Sequence, residues 1–340
     1  MKSLAVKYRP KTFDGVTEQS SVTKILKYQI DNGLIKNGYL FCGGAGTGKT
    51  TMARIFANEI NHGEGSTIEL DAASNNSVDN IRDITEQARI KSLDSEYKVF
   101  ILDECHALSS QAWQAMLKTL EEPPAKSIFI FCTTNPEKIP QTILSRVQRF
   151  NFQRISMNGI VTRLQVILQL ENNENGDLYT YTRGALEIIA KLANGGMRDA
   201  ITMLDKCLGY SDELTEEVVN EALNTVDYDV YIDLLQYVDS GMTTEMVDTV
   251  HKLYRSGADM RAVSKELFEF VTDLVVYIMT DELGYTKIPN NYKGRIDEYD
   301  FNKEWIMALL TRLEKMNYKM KNESNAMGLL IATLLIFMWG

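Results

Sequence analysis

The ten residues Cys42-Gly43-Gly44-Ala45-Gly46-Thr47-Gly48-Lys49-Thr50-Thr51 carry glycine, four free positions, glycine, lysine and then threonine. That spacing is a phosphate-binding loop, or P-loop. Gly43, Gly44, Gly46 and Gly48 let the backbone turn where side chains would clash, so successive N–H groups point inward beside a helix N-terminus. Ala45, Thr47 and Thr51 complete the cradle. Lys49 is placed to reach the terminal phosphates of a nucleotide, and the Thr50 hydroxyl to bind Mg2+. Sixty residues on, the apolar run Val99-Phe100-Ile101-Leu102 ends in Asp103 and Glu104. Asp103 can hold Mg2+, often through water, and Glu104 can polarise a water for attack on a γ-phosphate. A second apolar run, Ile128 to Cys132, ends in Thr133-Thr134-Asn135-Pro136, where Thr134 or Asn135 could orient that water.

These groups need a scaffold that brings three chain segments to one edge. The run Tyr39-Leu40-Phe41 before the P-loop reads as a strand, and Met52 to Glu59 after it as a helix. Runs without alternation, such as 98–102 and 127–132, suit strands buried on both faces of a parallel sheet. Open sheets of that kind bind ligands at the C-terminal ends of their strands, where both carboxylates fall. Further strands are expected at Ser66–Leu70 and Val147–Phe152, and helices over Ser21–Ile30, from the N-cap Ser77 through Ile81, Ile84 and Ala88, and over Ser109–Glu122, stopped by Pro123-Pro124. After residue 155 no strand pattern persists. Helical periods run over 160–170, 183–193, 198–208 and 215–223, and from Val230 to the end, with breaks near Ser240-Gly241, Ser256-Gly257 and 284–300. In that last region Leu234, Leu235, Val238, Leu267, Phe270, Leu274 and Val275 recur at helical spacing and read mostly as core. Boundaries are expected near 154 and 225, giving segments 1–154, 155–224 and 225–340.

Composition narrows the partners. The chain has 340 residues and a net charge of −10; residues 1–155 carry 19 Lys+Arg against 17 Asp+Glu, or +2, so the remainder carries −12. Bulk attraction to nucleic acid is therefore excluded, and any such contact must be local. Cys42, Cys105, Cys132 and Cys207 lack the paired spacing of a metal site and read as reduced, buried thiols of a cytoplasmic protein. The apolar run 326–340 is short for a bilayer span and has no basic residue immediately beside it, so a buried helix is expected and no membrane contact.

Taken in order, Tyr8-Arg9-Pro10, the P-loop, Asp71-Ala72-Ala73-Ser74, Leu102-Asp103-Glu104-Cys105-His106, Leu117 to Pro124, Thr133 to Pro136, Leu144-Ser145-Arg146 and Gly196-Met197-Arg198-Asp199-Ala200 form a set. That set resembles the bacterial DNA polymerase III gamma/tau family of AAA+ clamp-loader ATPases, over about residues 5–210. The resemblance implies an AAA+ P-loop ATPase domain with a parallel sheet, a small helical lid domain and an all-α collar domain for oligomerisation. It implies an ATP hydrolase that opens and loads a sliding clamp on primer-template DNA during replication, with Lys49, Asp103, Glu104, Thr134, Arg146 and Arg198 in catalysis. Thr134 matches the first sensor position, Arg146 the arginine finger acting on a neighbour's ATP, and Arg198 the second sensor on the lid. Tyr8 and Arg9 join residues 43–51 in binding ATP, with Mg2+ on Thr50 and Asp103. Arg82 and Lys118 match positions that follow DNA phosphates without reading sequence. The implied partners are other loader subunits in a homo- or hetero-oligomer, pentameric in the family, together with the clamp and the DNA.

Five departures qualify the likeness. The four-cysteine zinc module is replaced by the short stretch 57–67, so no zinc is expected. The usual Ser-Arg-Cys is Ser145-Arg146-Val147, and the usual Gly-Gln is Glu18-Gln19. Residues 74–77 carry amides and hydroxyls where relatives commonly carry basic groups, and the long extension of tau-type products is not expected, as in a compact form suiting a reduced or virus-encoded system. Two rival readings remain: a structural loader subunit that does not hydrolyse ATP, and a related AAA+ DNA motor such as a branch-migration helicase or helicase loader.

Overall fold

A computed structural model describes residues 3–340 except 66, 93, 177, 224–225, 290–291 and 322. Its chain divides into two compact units, Met1–Asp177 with Ile189–Asp205, and Leu178–Ile188 with Lys206–Gly340. The expected boundary near 225, and Ser66 of an expected strand, fall outside the described residues.

In the first unit the elements alternate as the apolar runs predict. They are α1 (Leu4–Lys7), α2 (Ser20–Asp31), β1 (Gly38–Gly43), α3 (Lys49–Ile60), β2 (Ile68–Asp71), α4 (Val78–Arg89), β3 (Lys98–Asp103), α5 (Ser110–Glu121), β4 (Ser127–Thr133), α6 (Gln141–Leu144), β5 (Gln148–Phe152) and α7 (Met157–Asn175). Among the described residues the strands form one five-stranded sheet in the order β2-β3-β4-β1-β5. Every pairing is parallel.

Strand periodicity sends alternate residues of β1 to opposite faces. Tyr39 and Phe41 join Leu26, Phe56 and Phe150 on the side of α2 and α3. Leu40 and Cys42 join Ile81, Trp113 and Met116 on the side of α4 and α5. A sheet covered on both faces explains the unbroken apolar runs, and β4 is buried along its whole length. The edge strand β5 alternates instead. Ser77 and Ser109 cap α4 and α5, each accepting an N–H from the first turn.

The chain continues through β6 (Thr180–Tyr181), α8 (Arg183–Leu192), α9 (Met197–Leu208), β7 (Glu213–Leu214), α10 (Glu216–Leu223), α11 (Tyr228–Asp239), α12 (Thr243–Arg255), α13 (Met260–Thr280), α14 (Lys293–Tyr299), α15 (Lys303–Met320) and α16 (Ala326–Trp339). The pair β6–β7, parallel and two residues long, corrects the expectation that no strand follows residue 155. Two residues are too few to show an alternation. Helix α14 lies inside the stretch read as a break. Its sequence is polar, but Ile296 is buried and Arg295 bonds to both Asp229 and Asp233 of α11. Gly241 and Gly257 take positive φ, 72° and 87°, at the two breaks that were expected.

One core unites α11, α12, α13, α15 and α16, and Leu234, Leu235, Val238, Leu267, Phe270 and Leu274 are all buried in it. Helix α16, expected to be buried, packs into this core along one side. It buries Leu330, Thr333 and Leu334, whereas Ile336 and Trp339 are exposed. Among the described residues no helix is long and apolar enough to cross a membrane.

Candidate active site

Gly43 ends β1 against β5. A Cβ there would sit 2.5 Å from the Phe152 carbonyl oxygen, so the close approach of loop and strand requires glycine. The loop then reverses through Gly46 (φ 69°) and Gly48 (φ 98°), and Gly48 serves as N-cap of α3. The Gly46 carbonyl accepts the Met197 N–H at 3.0 Å, and a Cβ on Gly46 would meet the Gly196 Cα at the same distance. This contact brings the start of α9, and with it Arg198, to the P-loop.

Lys49 is 6% exposed, and its Nζ donates to the carbonyls of Gly43 (2.9 Å) and Gly44 (2.7 Å). Burial pulls its pKa down, and the nearby carboxylates of Glu104 and Asp103 oppose that shift. The Thr50 hydroxyl donates to Asp103 Oδ2 at 2.8 Å, so the two groups expected to hold Mg2+ are neighbours. An all-oxygen donor pair beside a phosphate loop fits a hard divalent cation.

Glu104 adopts a left-handed conformation, φ 46°, and its N–H donates to Asp103 Oδ1 at 3.0 Å. The turn aims the carboxylate away from Asp103 and toward the end of β4. There Glu104 Oε2 accepts the Thr134 hydroxyl at 2.9 Å. His106 Nδ1 lies 3.2 Å from the same oxygen and 3.1 Å from Thr133 Oγ1.

A cavity of about 270 Å3 is lined by Tyr8 and Arg9, Ala45 to Thr51, Asp103, Glu104 and Arg198. These are most of the residues expected to meet nucleotide. Gly43 and Gly44 stand behind Lys49, and Thr134 reaches the cavity through Glu104. Arg146 is elsewhere: it is not part of this wall, and its guanidinium bonds to the Thr142 carbonyl (2.7 Å), Ser145 Oγ (3.0 Å) and Glu121 Oε1 (2.7 Å). Glu121 belongs to the Leu117–Pro124 motif, so two stretches distant in sequence meet at this arginine. Arg82 is exposed on α4, paired with Asp79 at 3.2 Å, and Lys118 is exposed on α5.

Several wall residues carry no motif signal. Val16, Thr17, Ile155, Arg163 and Ile201 line the cavity. Gln19 is buried and bridges the Thr47 carbonyl (3.4 Å) to Gln153, donating to its carbonyl at 2.9 Å. Glu18, in place of the usual glycine, takes φ 61° and accepts the N–H and hydroxyl of Ser156, the N-cap of α7. A carboxylate at a helix N-terminus is favourable, which accounts for a residue tolerated where glycine is usual.

The sheet order, the P-loop on β1 and the acidic end of β3 define an AAA+ P-loop fold. The RuvB Holliday junction branch migration motor of Thermotoga maritima shares it, with a TM-score of 0.52 and 17% identity over 74% of this chain and 86% of that one. At that identity the likeness concerns the fold alone. Family profiles match in succession: the DNA polymerase III delta subunit over residues 60–156, the ATPase lid domain of the DNA polymerase III clamp loader subunit over 159–213, and domain III of DNA polymerase III subunits gamma and tau over 214–324. The chain is 37% identical over 292 residues to the DNA polymerase III subunit tau of Bacillus subtilis, covering 79% of this chain and 51% of that protein. It is 32% identical over 332 residues to the gamma/tau subunit of Mycoplasma genitalium, covering 91% and 54%. The chain belongs to the DNA polymerase III gamma/tau family. It spans about half the length of these curated relatives.

Proposed function

We propose that this chain is an ATP-hydrolysing subunit of a sliding-clamp loader, acting in the cytoplasm during DNA replication. The observation that carries the reading is the convergence of Lys49, the Thr50–Asp103 pair, the Glu104–Thr134 pair and Arg198 on one cavity, within a chain of the gamma/tau family. In this reading the P-loop binds the phosphates of ATP, and Tyr8 and Arg9 border the rest of the nucleotide. Thr50 and Asp103 would hold Mg2+, which when bound offsets phosphate charge. Glu104, released from Thr134, orients the attacking water. Lys49 and Arg198 stabilise charge on the phosphate oxygens from within the chain, and Arg146 does so from a neighbouring subunit. Arginine suits both positions because its charge is permanent and its donors are forked.

Residues 1–154 form the ATPase domain, 155–224 the lid and 225–340 the collar of a pentameric ring with other loader subunits. The clamp and primer-template DNA are its partners, and Arg82 and Lys118 touch phosphates without sequence preference. No zinc site is part of the reading.

Mixing chains tests the shared site. Arg146→Ala keeps a P-loop and Lys49→Ala keeps a finger, so each alone should be nearly inactive in phosphate release with primed DNA and clamp. Their mixture should recover part of the activity. A mixture no more active than its components removes the shared site. ATP hydrolysis by an assembled loader that the clamp leaves unchanged would instead favour another AAA+ motor.

A further inference from the structure

Beyond the P-loop, the two carboxylates and the Arg198–Asp199 pair, the cavity wall includes Tyr8, Arg9, Pro10, Val16, Ile155 and Ile201, a mostly apolar set suited to the flat face of a nucleobase. Into this set comes a cation from α7, Arg163. Its Nη2 donates to the Tyr8 carbonyl at 2.9 Å. Among the described residues no carboxylate lies within ion-pair distance of it, and burial alone pulls its pKa down. The guanidinium stays charged regardless. A half-buried cation without a counter-charge is costly to fold around, so its contact with Tyr8 calls for a reason.

The same side of α7, two and three turns further on, supplies that reason. Glu171 accepts Lys7 Nζ at 2.7 Å, and Glu174 accepts it too. At the other end of the segment, the Leu4 N–H donates to Asp205 Oδ2 at 3.1 Å. Residues 4–8 are thus tied to α9 at Leu4 and to α7 at Lys7 and Tyr8, and Arg163 pins them at the carbonyl of the residue that forms the wall. Lys7 is shared between the buried Glu171 and the exposed Glu174; Arg163 makes its contact at the cavity itself.

We propose that Arg163 is a positioning residue that holds Tyr8-Arg9-Pro10 as the wall of the nucleoside end of the cavity, and so sets affinity for the nucleoside part of the ligand and not for its phosphates. The proposal rests on the nucleotide reading of this cavity and adds a division of labour within it. Lys49 and the P-loop grip phosphate; the link between Arg163 and Tyr8 shapes the slot for the rest.

Calorimetric titration of the full chain with ATP, ADP and inorganic tripolyphosphate, each with Mg2+, separates these parts. In Arg163→Met the Kd for ATP and for ADP should rise roughly tenfold, the effect of losing a hydrogen bond from a charged donor. The Kd for tripolyphosphate should stay at its unmodified value. Arg163→Lys, which keeps the charge but loses the fork, should fall between the two, and it carries the test if Arg163→Met does not melt cooperatively. Equal weakening of tripolyphosphate and ATP would mean that Arg163 serves the phosphates or the fold at large, and would overturn the proposal. So would unchanged affinity for all three ligands. If the unmodified chain binds tripolyphosphate and not ATP, the nucleotide reading itself is at fault; Lys49→Ala, which should lose all three ligands, marks the P-loop contribution independently.

Discussion

Glu104 shows how one backbone torsion serves chemistry. Its left-handed φ sends the carboxylate to Thr134 and His106 while Asp103, one residue earlier, stays with Thr50. Adjacent carboxylates therefore face different partners. Glu104→Gln keeps the size and loses the charge, so ATP affinity should persist while steady-state hydrolysis falls roughly 10²–10⁴-fold, the usual worth of a positioned base. A matching loss of ATP binding would place Glu104 in ligand binding instead. The thiols lead to a second expectation at this scale. All four cysteines are free and buried, and burial raises each pKa, that of Cys207 to about 11. A thiol-exchange reagent at neutral pH should leave them unmodified until the chain is unfolded. The pH dependence has a definite sign: with the folded pKa of Cys207 above its ordinary value of 9.0, its contribution to stability is complete below pH 9 and is lost as pH rises through 11. Denaturant midpoints measured across that window should fall, and less so in Cys207→Ala.

At the scale of elements, the P-loop is held from two sides by contacts that admit no side chain. Gly43 backs onto Phe152 of β5, and Gly46 onto Gly196 at the start of α9. Gly43→Ala should destabilise the chain by about 2 kcal/mol or more, because backbone on both sides must shift. It should also weaken nucleotide binding, since the loop moves with it. Helix α5, which carries Lys118 and ends near Glu121, is started by the Ser109 cap. Ser109→Ala should cost about 1 kcal/mol, read as a lower melting midpoint, with ATP affinity unchanged. Strand and helix positions in this region were readable from the chain alone because each apolar run has one period and a clear stop. The missed elements, β6, β7 and α14, are short or polar and owe their form to a partner strand or to Asp229 and Asp233.

Across the whole molecule the two units have separate apolar cores, one arranged around the sheet and one among α11 to α16. Leu274 is fully buried in the second, and Leu274→Ala should cost roughly 2–5 kcal/mol in that unit's unfolding transition. Because, among the described residues, those lining the proposed nucleotide cavity all belong to the first unit, ATP affinity measured below the transition should not change. A lost ATP affinity in a folded Leu274→Ala chain would mean that the cores are not independent.

The chain's letters alone specified the P-loop, the acidic end of β3, the parallel sheet around them and the helical remainder, because those features are periodic or local in the backbone and need no partner to be read. Folding decided what depends on residues far apart in sequence meeting. It brought Arg198 to Gly46 through a glycine pair, set Arg146 against Glu121 outside the cavity, set Glu18 against Ser156, the N-cap of α7, and laid Arg163 on the carbonyl of Tyr8. No spacing rule encodes such contacts: a lone arginine on a helix has the same local sequence signature whether it faces water or lines a pocket, and only packing distinguishes the two.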